Sequence, residues 1–248
     1  MSKRITLTIN RLEEVNSTQD SAKQLAEAGV AEGTVVVARV QERGRGRLGR
    51  RWLSPDGGLW LSIVLRPTCP PARVAGLTLL TAVSITEAVR KVAKVEAGIK
   101  WPNDILVNGR KLAGIITEMT AEMNVVKYVI VGIGLNVNVD TSEFPHDLLM
   151  PATSLKEETG QTVDLEKILK ACLNNLVRDY TKLDDGFESV LERWTELSVV
   201  IGKEVKVSQP GKTIEGKAVG VRADGALEVV DAEGVSHVVH AGDLSIIR

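Results

Sequence analysis

Arg43-Gly44-Arg45-Gly46-Arg47-Leu48-Gly49-Arg50-Arg51-Trp52 is the stretch on which the reading of this chain turns: residues 43–51 hold five arginines and three glycines. A loop that is merely solvated rarely needs that density. Gly44 to Gly49 spells GxGxxG, yet the Arg50-Arg51-Trp52-Leu53-Ser54-Pro55 that follows opens no helix, so a dinucleotide fingerprint fails on context. As a nucleic-acid segment it is single and short, with only Trp52 at hand to stack on a base. Anion capture remains. Guanidinium forks bind phosphate and carboxylate bidentately, and glycines let the backbone fold over a ligand, at the entropic cost of a mobile empty loop.

Working outward, Val35 to Val40 is β-branched and continuous, the pattern of a strand buried on both faces that delivers the chain into the arginine loop. Before it, Asn16 to Ala28 opens on polar residues, continues through Ala22, Leu25 and Ala26 and meets Gly29: a capped helix with Ser17 and Thr18 at its start. After the loop, Leu59 to Leu65 reads as a strand and Val74 to Ala93 as a long, mostly buried helix. Ile105-Leu106-Val107, Asn108-Gly109 and Lys111 to Thr117 predict a hairpin, because Asn-Gly tolerates the positive φ of a type I′ turn. Tyr128 to Ile133 is a further strand running into Gly134-Leu135-Asn136, and helices follow at about Leu165 to Leu183 and Phe187 to Leu197. From Ile201 onward short strands alternate with Pro210-Gly211, Asp224-Gly225 and Glu233-Gly234, the mark of a small β-barrel.

Composition narrows the function classes. With 248 residues, 44% hydrophobic and 25% charged, the chain can bury a full core, and disordered or collagen-like readings are excluded. A net charge of −1 makes any polyanion site local rather than global. Cys69 and Cys172 lie far apart without metal or disulfide spacing, which fits a reducing, cytoplasmic compartment. The N-terminus lacks an apolar signal region, and no apolar run reads as approaching the roughly 18 residues of a membrane span. His146 reads as a loop residue, and His237 and His240 fall on opposite faces of one strand, so the histidines offer no metal set.

A second group of residues could hold phosphates. Lys100-Trp101-Pro102-Asn103-Asp104-Ile105 combines a cation, a rigid turn and two oxygen-bearing side chains, a set suited to a magnesium ion against phosphates; on its own it is equally an Asx-type turn. Lys111 would lie on the returning strand of the hairpin, where an arbitrary lysine is a surface residue.

Taken together, Asn16-Ser17-Thr18-Gln19, Gln41 with the Gly44 to Trp52 loop, Lys100 to Ile105, Lys111-Leu112-Ala113-Gly114-Ile115 and Gly132-Ile133-Gly134-Leu135-Asn136 resemble the biotin–protein ligases, in order, from about Leu12 to Leu197. The final strands resemble that family's SH3-like C-terminal domain. The resemblance implies an α+β fold: a mixed-sheet, class II synthetase-like catalytic domain over residues 1–198 and an SH3-like β-barrel over 199–248. It implies an ATP-dependent ligase that forms biotinyl-5′-AMP and transfers biotin to a lysine of a biotin carboxyl carrier protein domain, with Mg2+ as cofactor and homodimers as family precedent. Catalytic roles fall to Lys111, Arg45, Arg47 and Asp104. Biotin contacts fall to Ser17, Thr18, Gln19, Gln41, Arg45, Gly46, Arg47, Lys111, Gly114, Gly132 and Gly134. ATP contacts fall to Arg47, Arg50, Trp52, Asn103, Lys111 and Asn136, with Trp52 on the adenine and the metal at Asn103 and Asp104. Gln19 stands where the family commonly has Asn. Only sixteen residues precede Ser17, too few for the winged helix of members that double as repressors, so no DNA partner is expected. Two alternatives stay beside this reading: a lipoate–protein ligase, whose Gly-Gly-Gly loop and downstream His-Asp are missing here, and a non-catalytic carrier- or nucleic-acid-binding module.

Overall fold

The structure, a computed structural model, describes residues 5–145 and 147–247; the expectation for His146 lies outside the described residues. Strands β1 (Thr8–Val15), β2 (Thr34–Gln41), β3 (Leu59–Leu65), β4 (Ala97–Lys100), β5 (Asp104–Val107), β6 (Arg110–Glu122) and β7 (Val125–Leu135) form one sheet in the order β1-β2-β3-β7-β6-β5-β4. It is mixed: β1 and β2 run parallel, and every other neighbouring pair is antiparallel.

The period of two along the strands sorts side chains onto the two faces. Val35, Val37, Leu61, Ile63, Leu65, Val129, Val131 and Ile133 enter the main core. There they meet helices α2 (Gly76–Ala93), α4 (Leu165–Tyr180) and α5 (Glu188–Leu197), of which α2 packs on β4, β5 and β6. Val36, Val64 and Ile130 point the other way, into a smaller cluster with Ala22 and Ala26 of α1 (Thr18–Glu27), which packs on β2, β3 and β7. Ser17 caps α1, its hydroxyl accepting the Gln19 N–H. Helix α1 covers only part of its face, and the uncovered remainder is where the cavity lies.

The Asn108-Gly109 turn has both residues at positive φ, 51° and 74°, as a type I′ hairpin requires. Three elements had no clear signal in the sequence. β1 is an edge strand with almost every residue exposed, so no apolar alternation marks it. β4 is only four residues long, and α3 (Leu155–Thr159) only five. Residues 71–93, a 3-10 turn leading into α2, are long and apolar enough to span a membrane by length and composition, contrary to the expectation that no run would approach that length. They are largely buried, and Leu77, Leu80, Val83 and Ile85 are fully so, as the central helix of a protein core must be.

β8 (Glu204–Gln209), β9 (Lys212–Val221), β10 (Leu227–Val230), β11 (Ser236–Val239) and β12 (Asp243–Ile246) make a second, antiparallel sheet in the order β11-β10-β9-β8-β12. His240 falls just beyond β11 rather than on it, because the strand ends at Val239. The second sheet is seamed to the first. Trp101 is fully buried and its indole N–H donates to the Gly225 carbonyl at 3.0 Å, while Val205, Val207, Ile214 and Leu227 join the same apolar cluster as Trp101 and Trp194.

Candidate active site

Sheet register assembles the floor of the site. Asp104 pairs with Gly114, Gly114 with Gly134, and Gly134 with Trp60, a row across four strands; Ile116, Gly132 and Ser62 form the next row. These residues share the face that α1 leaves open. Two glycines in one row clear a shallow trough, and the side chain of Trp52 lies in it: a Cβ on Gly134 would fall 2.4 Å from Trp52 Nε1, and one on Gly114 would fall 3.0 Å from its ring. Trp52 also meets Trp60 edge to face at 6.5 Å, and Lys111 Nζ lies 5.3 Å from its ring centroid, a cation–π contact.

A cavity of about 540 Å³ opens over this floor, within the range of small-molecule sites. Its wall brings together Ser17, Thr18, Gln19, Gln41, Arg45, Gly46, Arg47, Arg50, Trp52, Asn103, Asp104, Lys111, Gly114, Gly132, Gly134 and Asn136, the whole set singled out from the sequence. Lys100 and Trp101 join them.

The two ends of the cavity differ in chemistry. At the α1 end, neutral hydrogen-bonding groups converge. The Thr18 N–H donates to Gln41 Oε1 at 2.8 Å, Gln41 Nε2 donates to the Ser54 hydroxyl at 2.8 Å, and Gln19 Nε2 donates to the Ile130 carbonyl at 3.2 Å. Ser17, Thr18 and Gln19 are all buried. At the other end charges gather. Lys111 Nζ is 2.6 Å from Asp104 Oδ1, an ion pair rather than a well-aligned hydrogen bond. Arg47 donates to Asn103 Oδ1 at 3.1 Å, and Asn103 Nδ2 to the Ile115 carbonyl at 2.8 Å. Lys100 faces Asp104 across the β4–β5 ladder, and Arg50 holds Asp243 of β12.

Crowding cations costs free energy. Burial lowers the proton affinity of Lys100, Asp104 restores part of it, and Lys111 lowers it further. Burial likewise lowers that of Arg47, against the pull of Asp104 and Asp243. Asp243 is held below the usual carboxylate range, first by its hydrogen bonds to Arg50 and then by the charges of Arg50, Arg47 and Lys100. Six cations on the wall, Arg45, Arg47, Arg50, Arg51, Lys100 and Lys111, outnumber its three carboxylates, Asp104, Asp147 and Asp243, an excess that an anionic ligand would neutralise. Arg45 is less committed to the cavity: it pairs with Asp20 at 2.6 Å and approaches Glu118 at 3.5 Å.

Asn103 and Asp104 were the sequence candidates for magnesium. Among the described residues no group of three or more His, Cys, Asp or Glu side chains is placed to hold a metal, so these residues build no cage. One amide and one carboxylate oxygen beside a cationic pocket do fit an ion carried mainly by phosphate oxygens, which takes only one or two side-chain ligands.

Some of the lining escaped the sequence reading. Ser62 was one polar residue inside Leu59-Trp60-Leu61-Ser62-Ile63-Val64-Leu65, and that break in an apolar run was the only available signal. Phe144, Leu148 and Met150 come from the long connection after β7, and Asp243 from the second sheet; neither segment carries a motif.

Residues 12–136 match the family model described as Biotin/lipoate A/B protein ligase family, and residues 200–246 match Biotin protein ligase C terminal domain. The chain is 39% identical to the Bifunctional ligase/repressor BirA of Bacillus subtilis (strain 168) over 231 residues, covering 92% of this chain and 70% of that protein. It is 32% identical to the Biotin--[acetyl-CoA-carboxylase] ligase of Paracoccus denitrificans over 220 residues, 87% of this chain and 91% of that one. This chain belongs to the biotin protein ligase family. Among solved structures, this ligase resembles the biotin protein ligase from Aquifex aeolicus in complex with biotin and ATP, with a TM-score of 0.81, 32% identity and coverage of 97% of this chain and 98% of that one. Its mixed sheet, helices and separate C-terminal sheet are those of the family fold that the sequence implied.

Proposed function

We propose that the cavity binds biotin at its neutral end and ATP at its cationic end, and that the enzyme joins them as biotinyl-5′-adenylate before passing biotin to a lysine of a biotin carboxyl carrier protein domain. The observation that carries this reading is the cavity's division: Ser17, Thr18, Gln19 and Gln41 gather at one end, and Arg47, Arg50, Lys100 and Lys111 at the other. A cyclic urea needs the first and a triphosphate meeting a carboxylate needs the second. The family membership supports biotin ligation in particular. Residues 1–198 are read as the catalytic unit and 199–248 as an appended SH3-like unit.

In the first step a biotin carboxylate oxygen forms a bond to the α-phosphorus, and the bond from that phosphorus to the bridging oxygen breaks, releasing pyrophosphate. Two unit charges of like sign about 4 Å apart repel by roughly 4 kcal/mol at an effective dielectric of 20. Lys111 and Arg47 are assigned to cancel that repulsion, with Lys111 turning from Asp104 to the biotin carboxylate and Arg50 and Lys100 taking the departing phosphates. Mg2+, held by Asn103 and Asp104 together with phosphate oxygens, would supply further charge neutralisation. In the second step the acceptor amine attacks the acyl carbon, the bond to the adenylate oxygen breaks and AMP leaves. Asp104, once released by Lys111, is assigned to receive the amine proton. The 43–51 loop covers the mixed anhydride. Arg47 on Asn103 and Arg50 on Asp243 hold part of it already, so ligand contacts have to offset the ordering of the remainder only, at about 1–2 kcal/mol per residue.

The test is direct. The purified protein is incubated with ATP, an apo carrier domain and labelled biotin or labelled lipoate, and the domain is then analysed by mass spectrometry. Covalent attachment of biotin, and not lipoate, is expected. Attachment of lipoate, or of neither, sinks the reading.

A further inference from the structure

We propose that Ser62 is a positioning residue that fixes the direction of the Thr18 hydroxyl, so that Thr18 meets the ligand as a hydrogen-bond acceptor; this rests on the reading of the cavity as a biotin site. Ser62 lies on β3, is fully buried, and points to the face that α1 leaves open. Its Oγ is 2.8 Å from Thr18 Oγ1 and 3.0 Å from Gln19 Oε1, and Thr18 Oγ1 is also 3.0 Å from Gln41 Oε1. Each hydroxyl carries one proton, so two protons serve three oxygen–oxygen contacts and one contact must go without.

The backbone decides which. The Ile130 carbonyl can only accept, so it holds the Gln19 amide with its NH2 toward β7 and Oε1 toward Ser62. The Thr18 N–H can only donate, so it holds Gln41 with Oε1 inward. Gln41 Oε1 is therefore served without a hydroxyl proton, whereas Gln19 Oε1 relies on Ser62. The arrangement that satisfies most groups runs Thr18 O–H to Ser62, then Ser62 O–H to Gln19 Oε1, each bond polarising the next. The Thr18 proton is spent inward and a lone pair is left for the cavity. Gly132 makes room for the relay, since a Cβ there would fall 2.5 Å from Gln19 Oε1.

An acceptor at Thr18 matches a ureido N–H. It opposes a ring carbamate, in which oxygen replaces that N–H and presents a lone pair to a lone pair. With Ser62 removed, the Thr18 proton can turn to the ring oxygen.

The experiment titrates biotin and the ring-carbamate analogue into the wild type and Ser62→Ala by calorimetry, with melting temperatures recorded alongside. Biotin is expected to bind about tenfold more weakly to Ser62→Ala, the size of one lost hydrogen bond. The carbamate should bind about as it does to the wild type, so the preference for biotin narrows. General loosening of the fold would weaken both ligands alike, and equal weakening, or no change in either, overturns the proposal. Should Ser62→Ala fail to fold, Ser62→Cys, whose thiol is a far weaker donor and acceptor, is judged by the same narrowing. Failure of the wild type to bind biotin overturns the cavity reading and this proposal with it. Wild-type binding that the variants leave untouched overturns this proposal alone.

Discussion

Arg50 grips Asp243 with both terminal nitrogens, Nη1 to Oδ1 at 2.8 Å and Nη2 to Oδ2 at 2.5 Å, so a residue of the C-terminal sheet latches the arginine loop. Both side chains are about half exposed, and an exposed pair contributes little to global stability. Its effect should be local. Asp243→Ala is expected to quicken trypsin cleavage within residues 43–51 about threefold to tenfold, the range for one lost charge-assisted contact, with the melting temperature nearly unchanged. Cleavage at the wild-type rate would show that the latch does not hold the loop.

Gly134 tests the trough under Trp52. A Cβ there would fall 2.4 Å from Trp52 Nε1, and the sheet backbone on the other side cannot yield. Gly134→Ala should therefore expel the indole from its place beside Trp60, shift the tryptophan emission to longer wavelength and raise the KM for ATP about tenfold, as loss of a stacking partner would. An unshifted spectrum would mean that the indole is not seated as described.

Lys111 joins two jobs. Lys111→Met should lower adenylate formation by about a hundredfold or more, the usual scale for removing one charge-stabilising group. It also leaves Asp104, only 16% exposed in its side chain, without its nearest counter-charge, so some loss of melting temperature should accompany it. By sequence an arbitrary lysine on that strand is a surface residue; the ion pair with Asp104 is what gives Lys111 a structural part as well. Pyrophosphate exchange measures the first effect and calorimetry the second.

Asp179 concerns the scaffold rather than the site. Burial pushes its carboxyl up, but hydrogen bonds from Arg193, Arg178 and Ser84 outweigh this and hold it at about 2. Its folded value is thus depressed below the ordinary carboxylate value of about 3.9, so its stabilising contribution is complete above pH 4 and fades as pH falls from about 4 to 2. Asp179→Asn should cost about 3–5 kcal/mol at pH 7, as removing one charge of a buried network does, and should flatten the acid limb of the stability curve. An acid limb as steep as the wild type's would place the titration elsewhere.

What the sequence disclosed was whatever depends on local chemistry. Asn108-Gly109 announced its own turn, Ser17 its own cap, and the arginine loop its hunger for anions. What it withheld depends on register and on long-range contact. Nothing in Gly114 or Gly134 alone says that they lie side by side beneath Trp52; that follows only once β6 and β7 are paired. Asp243 is remote in sequence from Arg50, and no spacing rule reaches across such a gap. β1 was invisible because an edge strand exposed on both sides has no hydrophobic alternation to display.

The buried indole of Trp101, bonded to Gly225, has a consequence for how the molecule comes apart. Because the apolar cluster that holds Trp101 also takes in Val205, Val207, Ile214 and Leu227, loosening of the small sheet would wet that indole and break its bond to Gly225. A C-terminal segment taken from another protein would therefore have to match the shape of that seam and bring its own acid for Arg50.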